Sequence, residues 1–127
     1  MGQYGTILTS SDGNFWTSRT SGTSNNLWDV DYSNNIFAVV GFSGTILTSS
    51  DGNSWTLRTS GTSNNLKGLT YGNGTFVAVG SSGTILTSSD GVSWTSRTSG
   101  TSNLLLGINY VNSNFVVVGD QGTILTS

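Results

Sequence analysis

The residues able to carry out chemistry are few, and most of them recur at one fixed interval. The basic residues are Lys67 and three arginines that lie 39 residues apart, Arg19, Arg58 and Arg97. Their equal spacing indicates one arginine in each repeat. We therefore expect them at separate places on an outer strand, with their aliphatic stems covering apolar surface.

One pair of carboxylates, Asp29 and Asp31, is separated by a single residue. In an extended strand such residues share a face, so the pair could act as acid and base or contribute to a Ca²⁺ site. We expect instead that the pair holds water in a polar channel, because it belongs to one repeat only. The same positions in the later repeats carry Gly68, Thr70, Gly107 and Asn109.

Composition excludes several classes of function. The chain has 127 residues, a net charge of −2 and neither histidine nor cysteine. Without these residues, or a glycine-rich phosphate loop followed by lysine, we expect no enzyme, no metal site and no cofactor. No basic patch is present for nucleic acid. No apolar run approaches the ~20 residues that span a membrane, and the start "MGQYGTILTS" does not resemble a signal peptide. Localisation stays open.

An internal repeat organises the whole sequence. The segment "GTILTS" occurs at 5–10, 44–49, 83–88 and 122–127, always 39 residues apart. The chain 1–127 therefore divides into three repeats within one domain, followed by an additional copy of one segment at 122–127. The repeats are 5–43, 44–82 and 83–121.

Each repeat predicts four short strands, which we label A to D. In the middle of the chain they are 66–71, 75–80, 84–88 and 93–98, separated by Gly, Asn, Asp and Ser turns. Strand B, 75–80, is apolar on both faces, which indicates a strand buried between stacked sheets. A period of about 40 residues with four strands is typical of a β-propeller blade. We predict an all-β fold of three such blades; a β-solenoid is the alternative.

The connection between strands C and D reads "SSDGNFW" (10–16), "SSDGNSW" (49–55) and "SSDGVSW" (88–94). It resembles a shortened Asp-box, the hairpin of sialidases, photosystem II stability factors and related propellers. The resemblance covers essentially the whole chain and implies a structural hairpin at the propeller's periphery. In it the aspartate accepts backbone N–H bonds, the glycine takes positive φ and the tryptophan packs on the blade. The residues are Asp12, Gly13, Trp16, Asp51, Gly52, Trp55, Asp90, Gly91 and Trp94.

The likeness to sialidases also implies a catalytic set that can be compared with this sequence. That set has three converging arginines, a tyrosine nucleophile, a glutamate partner and an acidic proton donor. The chain has no glutamate, and its arginines are equivalent by repeat. A glycosidase-related domain is therefore only the second alternative.

The repeats differ most in strand A and the turn after it, and this variation points to candidate binding residues. Neutral, Asn-rich segments with aromatic rings would suit a carbohydrate ligand, so a lectin-like propeller is the first alternative. The recurring tyrosines also fit a core between blades. The candidate ligand-binding residues are Trp28, Asp29, Asp31, Tyr32, Lys67, Tyr71, Asn109 and Tyr110.

Three blades cannot close a ring, whereas two chains would supply six. We expect a homodimer, with the chain itself as main partner and a non-catalytic scaffold role. The strands run C-D, A-B-C-D, A-B-C-D, A-B-C, so the two ends would complete one blade across a chain boundary. That blade needs one strand C. Residues 1–10 should therefore compete with 118–127, with one copy ordered and the other displaced.

Overall fold

A computed structural model describes all 127 residues, which form thirteen short strands joined by turns within each sheet and by seven-residue connections between sheets. The strands form four antiparallel sheets in sequence order. The N-terminal sheet contains β1 (Ile7–Thr9) and β2 (Thr17–Arg19). The second sheet contains β3 (Leu27–Ser33), β4 (Ile36–Gly41), β5 (Ile46–Ser49) and β6 (Thr56–Arg58). The third contains β7 (Leu66–Gly72), β8 (Thr75–Gly80), β9 (Ile85–Ser88) and β10 (Thr95–Arg97). The C-terminal sheet contains β11 (Leu105–Val111), β12 (Asn114–Gly119) and β13 (Ile124–Thr126).

The all-β fold class and the order of strands within each repeat are confirmed. The A–B connection is tighter than the predicted three-residue turn, because Asn73 and Gly74 form a two-residue hairpin with φ of 46° and 73°. Positive φ at both central residues matches the twist of the flanking strands. The fourth strand is shorter than predicted, Thr95–Arg97 instead of 93–98. Ser93 and Trp94 lie instead in the loop after the SSDG segment, and Thr98 follows the end of the strand.

The second strand of each four-stranded sheet lies in the hydrophobic core. Phe76 and Ala78 pack toward the second sheet, in a cluster that includes Ala38. Val77 and Val79 pack on the opposite face, toward the C-terminal sheet. The predicted burial of both faces of this strand is therefore confirmed. Successive sheets stack face to face because their middle strands have no polar side to present to water.

The two outer sheets are incomplete versions of the same four-stranded pattern. The N-terminal sheet holds strands C and D, and the C-terminal sheet holds A, B and C. Both outer copies of "GTILTS" form a strand, β1 on β2 and β13 on β12. Their surroundings differ, since Ile7 is 0% exposed and the equivalent Ile124 is 69% exposed. No helix in the chain is long and apolar enough to cross a membrane.

Candidate functional site

The three SSDG segments, 10–13, 49–52 and 88–91, form nearly identical turns. In the middle one, the Oδ1 atom of Asp51 accepts backbone N–H bonds from Asn53 and Ser54 at 2.8 and 2.9 Å. The Ser49 hydroxyl accepts the N–H of Gly52 at 2.9 Å and donates to Asp51. The Nε1–H of Trp55 donates to the Gly52 carbonyl oxygen at 3.1 Å. These polar groups of the turn thus have local partners, which supports the predicted structural role.

These bonds lower the pKa of the three turn carboxyls. The N–H of Ser54, followed by that of Asn53, holds the pKa of Asp51 below its ordinary value of 3.8. Equivalent amides lower the pKa of Asp12, chiefly that of Phe15, and of Asp90, chiefly that of Ser93. Hydrogen bonds of this kind favour the ionised carboxylate. All three groups are therefore charged at neutral pH.

Acid should weaken the fold through these turns. A carboxyl with a lowered folded-state pKa contributes its full stabilisation above about pH 4 and loses it as pH falls through the folded-state value. We expect the urea midpoint of unfolding to fall between about pH 5 and pH 2. Asp51→Asn should be less stable than wild type at neutral pH and less sensitive to acid, because the introduced amide cannot titrate. Adding the same change at positions 12 and 90 should flatten the profile stepwise. An unchanged acid slope in the triple variant would contradict this cause.

An aromatic and cationic contact lies where strand A begins. The pairing of β3 with β4 shifts between Leu27 and Asp29, which leaves Trp28 in a β-bulge. Its ring meets Phe42 edge-on, with 6.1 Å between ring centroids. The Nζ atom of Lys67 lies 3.3 Å from the centroid of the Trp28 ring. Trp28 and Lys67 are equivalent positions of neighbouring sheets, so the bulge directs both side chains to one shared surface.

Asp29 bridges two sheets and shares no hydrogen-bond partner with Asp31. Its Oδ2 atom accepts the backbone N–H of Leu69 in the third sheet at 2.8 Å, and its Oδ1 accepts the N–H of Val30 at 2.9 Å. Asp31 shares the same face of β3 and accepts the hydroxyl of Ser33 at 3.1 Å. Each carboxylate therefore has its own partners. Both oxygens of Asp29 bind backbone, an arrangement that positions the neighbouring strand.

The tyrosines lie at the other end of strand A. Each packs against the phenylalanine opposite it, with 4.6 Å between the ring centroids of Tyr71 and Phe76. Tyr110 also crosses to the third sheet, where a β carbon on Gly72 would lie 2.1 Å from its ring. Tyr32 is 55% exposed, because the N-terminal sheet before it contains no strand A. These contacts favour the core interpretation of the tyrosines over sugar stacking.

The predicted ligand-binding residues are thus divided between two regions. Trp28 and Lys67 stand at the start of strand A, and the tyrosines at its end. The positions of Trp28 and Tyr32 differ by four residues, which corresponds to roughly 13 Å along a strand. Asn109 is exposed on β11 between these ends. The structure brings Trp28 and Lys67 together and does not bring the tyrosines to them.

The three arginines line separate clefts. The Nε–H of Arg58 donates to the Thr48 hydroxyl at 2.8 Å, and Arg19 and Arg97 make the same bond to their own sheets. The clefts of Arg97, Arg58 and Arg19 have volumes of about 570, 500 and 510 Å³. Within one chain the arginines therefore do not surround a single carboxylate.

These clefts were not among the predicted sites. Each lies between a B–C turn and the "RTSGTSN" connection that leads to the next sheet, and is lined mainly by serine, threonine and glycine without a carboxylate. The only signal in the sequence is that this connection is held constant at 19–25, 58–64 and 97–103. Its constancy also has a structural cause, because Asn25, Asn64 and Asn103 donate to the threonines that follow the next B–C turn.

Comparison with known proteins adds no further constraint on this geometry. A scan against protein-family models and a search of curated proteins found no match to the chain.

Proposed function

We propose that this chain is a non-catalytic β-propeller module that closes a ring by self-association. Two copies would give six blades, with the channel along the two-fold axis. The module acts as a scaffold, and its SSDG turns are the shortened Asp-boxes that the sequence resembles. The observation that carries the proposal is the complementarity of the outer sheets, one holding C and D and the other A, B and C.

The exposed apolar residues of the outer sheets support the same proposal. Val30 and Tyr32 stand uncovered on the second sheet where a preceding A strand would lie. Val118 is exposed on the outer face of the C-terminal sheet. The equivalent positions inside the chain, such as Val79 and Leu69, are buried. A second copy would cover these surfaces with the same kinds of contacts that join the inner sheets, and uncovered faces of this type favour association.

Light scattering on the folded protein tests the ring directly. The expected molar mass is twice the 13.2 kDa of one chain, and it should persist on dilution into the micromolar range. A folded sample with the mass of a single chain at all concentrations would contradict self-association. A mass of three chains would retain association and replace the six-bladed ring with a nine-bladed one.

Glycan binding is the second candidate, and the repeated polar clefts favour it. Hydroxyl and guanidinium groups line each cleft, and such groups match the hydroxyls of a neutral sugar. A glycan array probed with wild type and with an Arg19, Arg58, Arg97→Ala variant would test the idea. Binding that disappears in the variant supports it, whereas an array without signal leaves the scaffold role. A fluorogenic sialoside assay should show no turnover; turnover would favour the glycosidase-related alternative.

A further inference from the structure

The C-terminal sheet contains an aromatic position without its usual neighbour. In the second and third sheets the SSDG tryptophan packs beside a phenylalanine of strand B. The ring centroids of Trp55 and Phe37 are 6.0 Å apart, and those of Trp94 and Phe76 are 6.4 Å apart. Phe115 is the equivalent phenylalanine of the C-terminal sheet, which has no strand D. A cleft of about 470 Å³ lies there, lined by Thr75, Val77, Phe115 and Ile124 among others.

The N-terminal sheet has the tryptophan of this pair without the phenylalanine. Trp16 ends an SSDG turn, and its sheet has no strand B to supply a phenylalanine. The Nε1–H of Trp16 donates to the Gly13 carbonyl oxygen at 3.2 Å, as in the other two turns. The ring is therefore held in the same way as Trp55 and Trp94, although 59% of Trp16 is exposed. The N-terminal sheet thus carries an exposed tryptophan, and the C-terminal sheet carries a cleft at the position where the repeat places a tryptophan.

We propose that the β1–β2 hairpin of a second copy completes the C-terminal sheet. In this arrangement β1 pairs with β12 in the place of β13, whose residues now line one side of the cleft, and Trp16 packs beside Phe115. The inference rests on the proposed ring and specifies the contacts that close it. Two such junctions occur in a dimer, related by its two-fold axis.

Neighbouring contacts favour β1 over β13 for the shared position. Besides pairing with β2, the β1 segment packs Ile7 in the core against the second sheet. The N–H of Leu27 donates to the Gly2 carbonyl oxygen at 2.9 Å. By contrast, no atom lies within 4 Å of a β carbon placed on Gly122, and Ile124 is largely exposed. The contacts that β13 does make, such as the packing of Leu125 and the bond from Asn103 to Thr123, can be made again by the identical residues Leu8 and Thr6 of the β1 segment.

Chain continuity favours the same outcome. Residues 2–19 contain the B–C turn, strand C, the SSDG turn and strand D in one covalent segment. Within it the Ser10 hydroxyl accepts the N–H of Gly13 at 2.8 Å and donates to Asp12 at 3.0 Å. If β13 kept the position and β1 left, Ser10 would be drawn away from Asp12. The hairpin can dock with all of its local hydrogen bonds only when β1 enters the sheet.

The repeat predicts the register of the new pairing. In the third sheet Val77 is the Cα partner of Thr87, so Val116 of one copy should face Thr9 of the other. If β13 held the position, the pairing of Leu86 with Ser96 predicts that Leu125 would instead face Ser18. Paired residues on adjacent strands lie within the Cα separation that a disulfide tolerates. The chain has no cysteine, so an introduced cysteine pair has no native cysteine with which it could form a different disulfide.

Oxidation of two double-cysteine variants tests the assignment. Thr9→Cys with Val116→Cys should give a cross-linked dimer, and Ser18→Cys with Leu125→Cys should remain largely uncross-linked. Cross-linking of the second pair alone would overturn the choice of β1 and retain the ring. A wild-type mass of two chains with neither pair cross-linked would overturn the composite sheet and leave self-association standing. A wild-type mass of one chain would instead refute the proposed function itself.

Trp16→Ala provides an independent readout that needs no cross-link. It should raise the dissociation constant of the dimer on the order of a hundredfold or more, because a buried aromatic anchor is lost at both junctions. The matched control is Phe15→Ala. Phe15 is 83% exposed, and serine occupies its position in the other two turns. The control should change the constant by less than about threefold, within the range of surface substitutions. Equal effects of the two variants would overturn the aromatic contact.

Discussion

Replacing Gly83 with alanine is expected to lower the free energy of unfolding by about 3 kcal/mol or more. The backbone of Gly83 has φ of +66°, and a β carbon would lie 1.9 Å from the Thr101 carbonyl oxygen. The left-handed conformation costs a side-chain-bearing residue about 1–2 kcal/mol, and overpacking adds about 1–3 kcal/mol. The turn and the connection would have to separate, which opens the contact between the third and C-terminal sheets. Urea unfolding followed by tryptophan fluorescence measures the loss.

Gly122→Ala is the matched control for this prediction. Gly122 occupies the same position of the repeat with φ of +71°, but no atom lies within 4 Å of its added β carbon. In the dissociated chain, only the conformational cost of about 1–2 kcal/mol should remain. Losses of similar size in the two variants would show that the close approach to Thr101 is unimportant.

Phe76→Ala should be nearly as damaging, with an expected loss of about 3–5 kcal/mol. Phe76 is fully buried in the largest core cluster, which joins the second and third sheets. Its ring contacts Tyr71 and Trp94 at centroid distances of 4.6 and 6.4 Å. Truncation would leave a cavity in the packed core between the two sheets, and the surrounding side chains could collapse into it only in part. The free energy of unfolding from urea denaturation is again the measurement.

Phe115→Ala removes the same side chain from the C-terminal sheet, where it is only partly buried. Its effect on unfolding of the dissociated chain should be clearly smaller than that of Phe76→Ala. If Trp16 of a second copy packs beside Phe115, this variant should instead weaken the dimer, as Trp16→Ala does. A Phe115→Ala chain that dimerises like wild type would count against that contact.

The positions of the strands could be predicted closely because the local signals agree. Apolar alternation, β-branched residues and Asn-Gly or SSDG turns all mark the same boundaries. These signals predict strand B at 75–80, and the structure has it at Thr75–Gly80. Strand D was predicted too long. Its first residues, Ser93 and Trp94, serve the SSDG turn, where the N–H of Ser93 bonds to Asp90 at 3.0 Å. Hydrogen bonding within the turn outcompetes the strand ladder at those residues.

The binding residues were harder to predict because a bulge changes which way a side chain points. Strict alternation along β3 would place Trp28 on a sheet face, whereas the bulge directs it to Lys67 of the next sheet. The contact of Asp29 with Leu69 likewise joins residues 40 apart. No local pattern indicates either contact, because both depend on how two sheets stack.

The sequence by itself determined the repeat, the four-stranded unit, the apolar character of both faces of strand B and the local chemistry of the SSDG turns. These properties depend on residues close together in the chain, where short-range hydrogen bonds and side-chain periodicity decide the outcome. Only the tertiary structure decided which of the equivalent residues are buried against a neighbouring sheet. Ile7 and Ile124, or Gly83 and Gly122, are the same residue in the same motif, yet one of each pair meets a neighbouring sheet and the other does not. The difference arises because apolar burial and close backbone approach require a second surface, and that surface comes from a distant part of the fold.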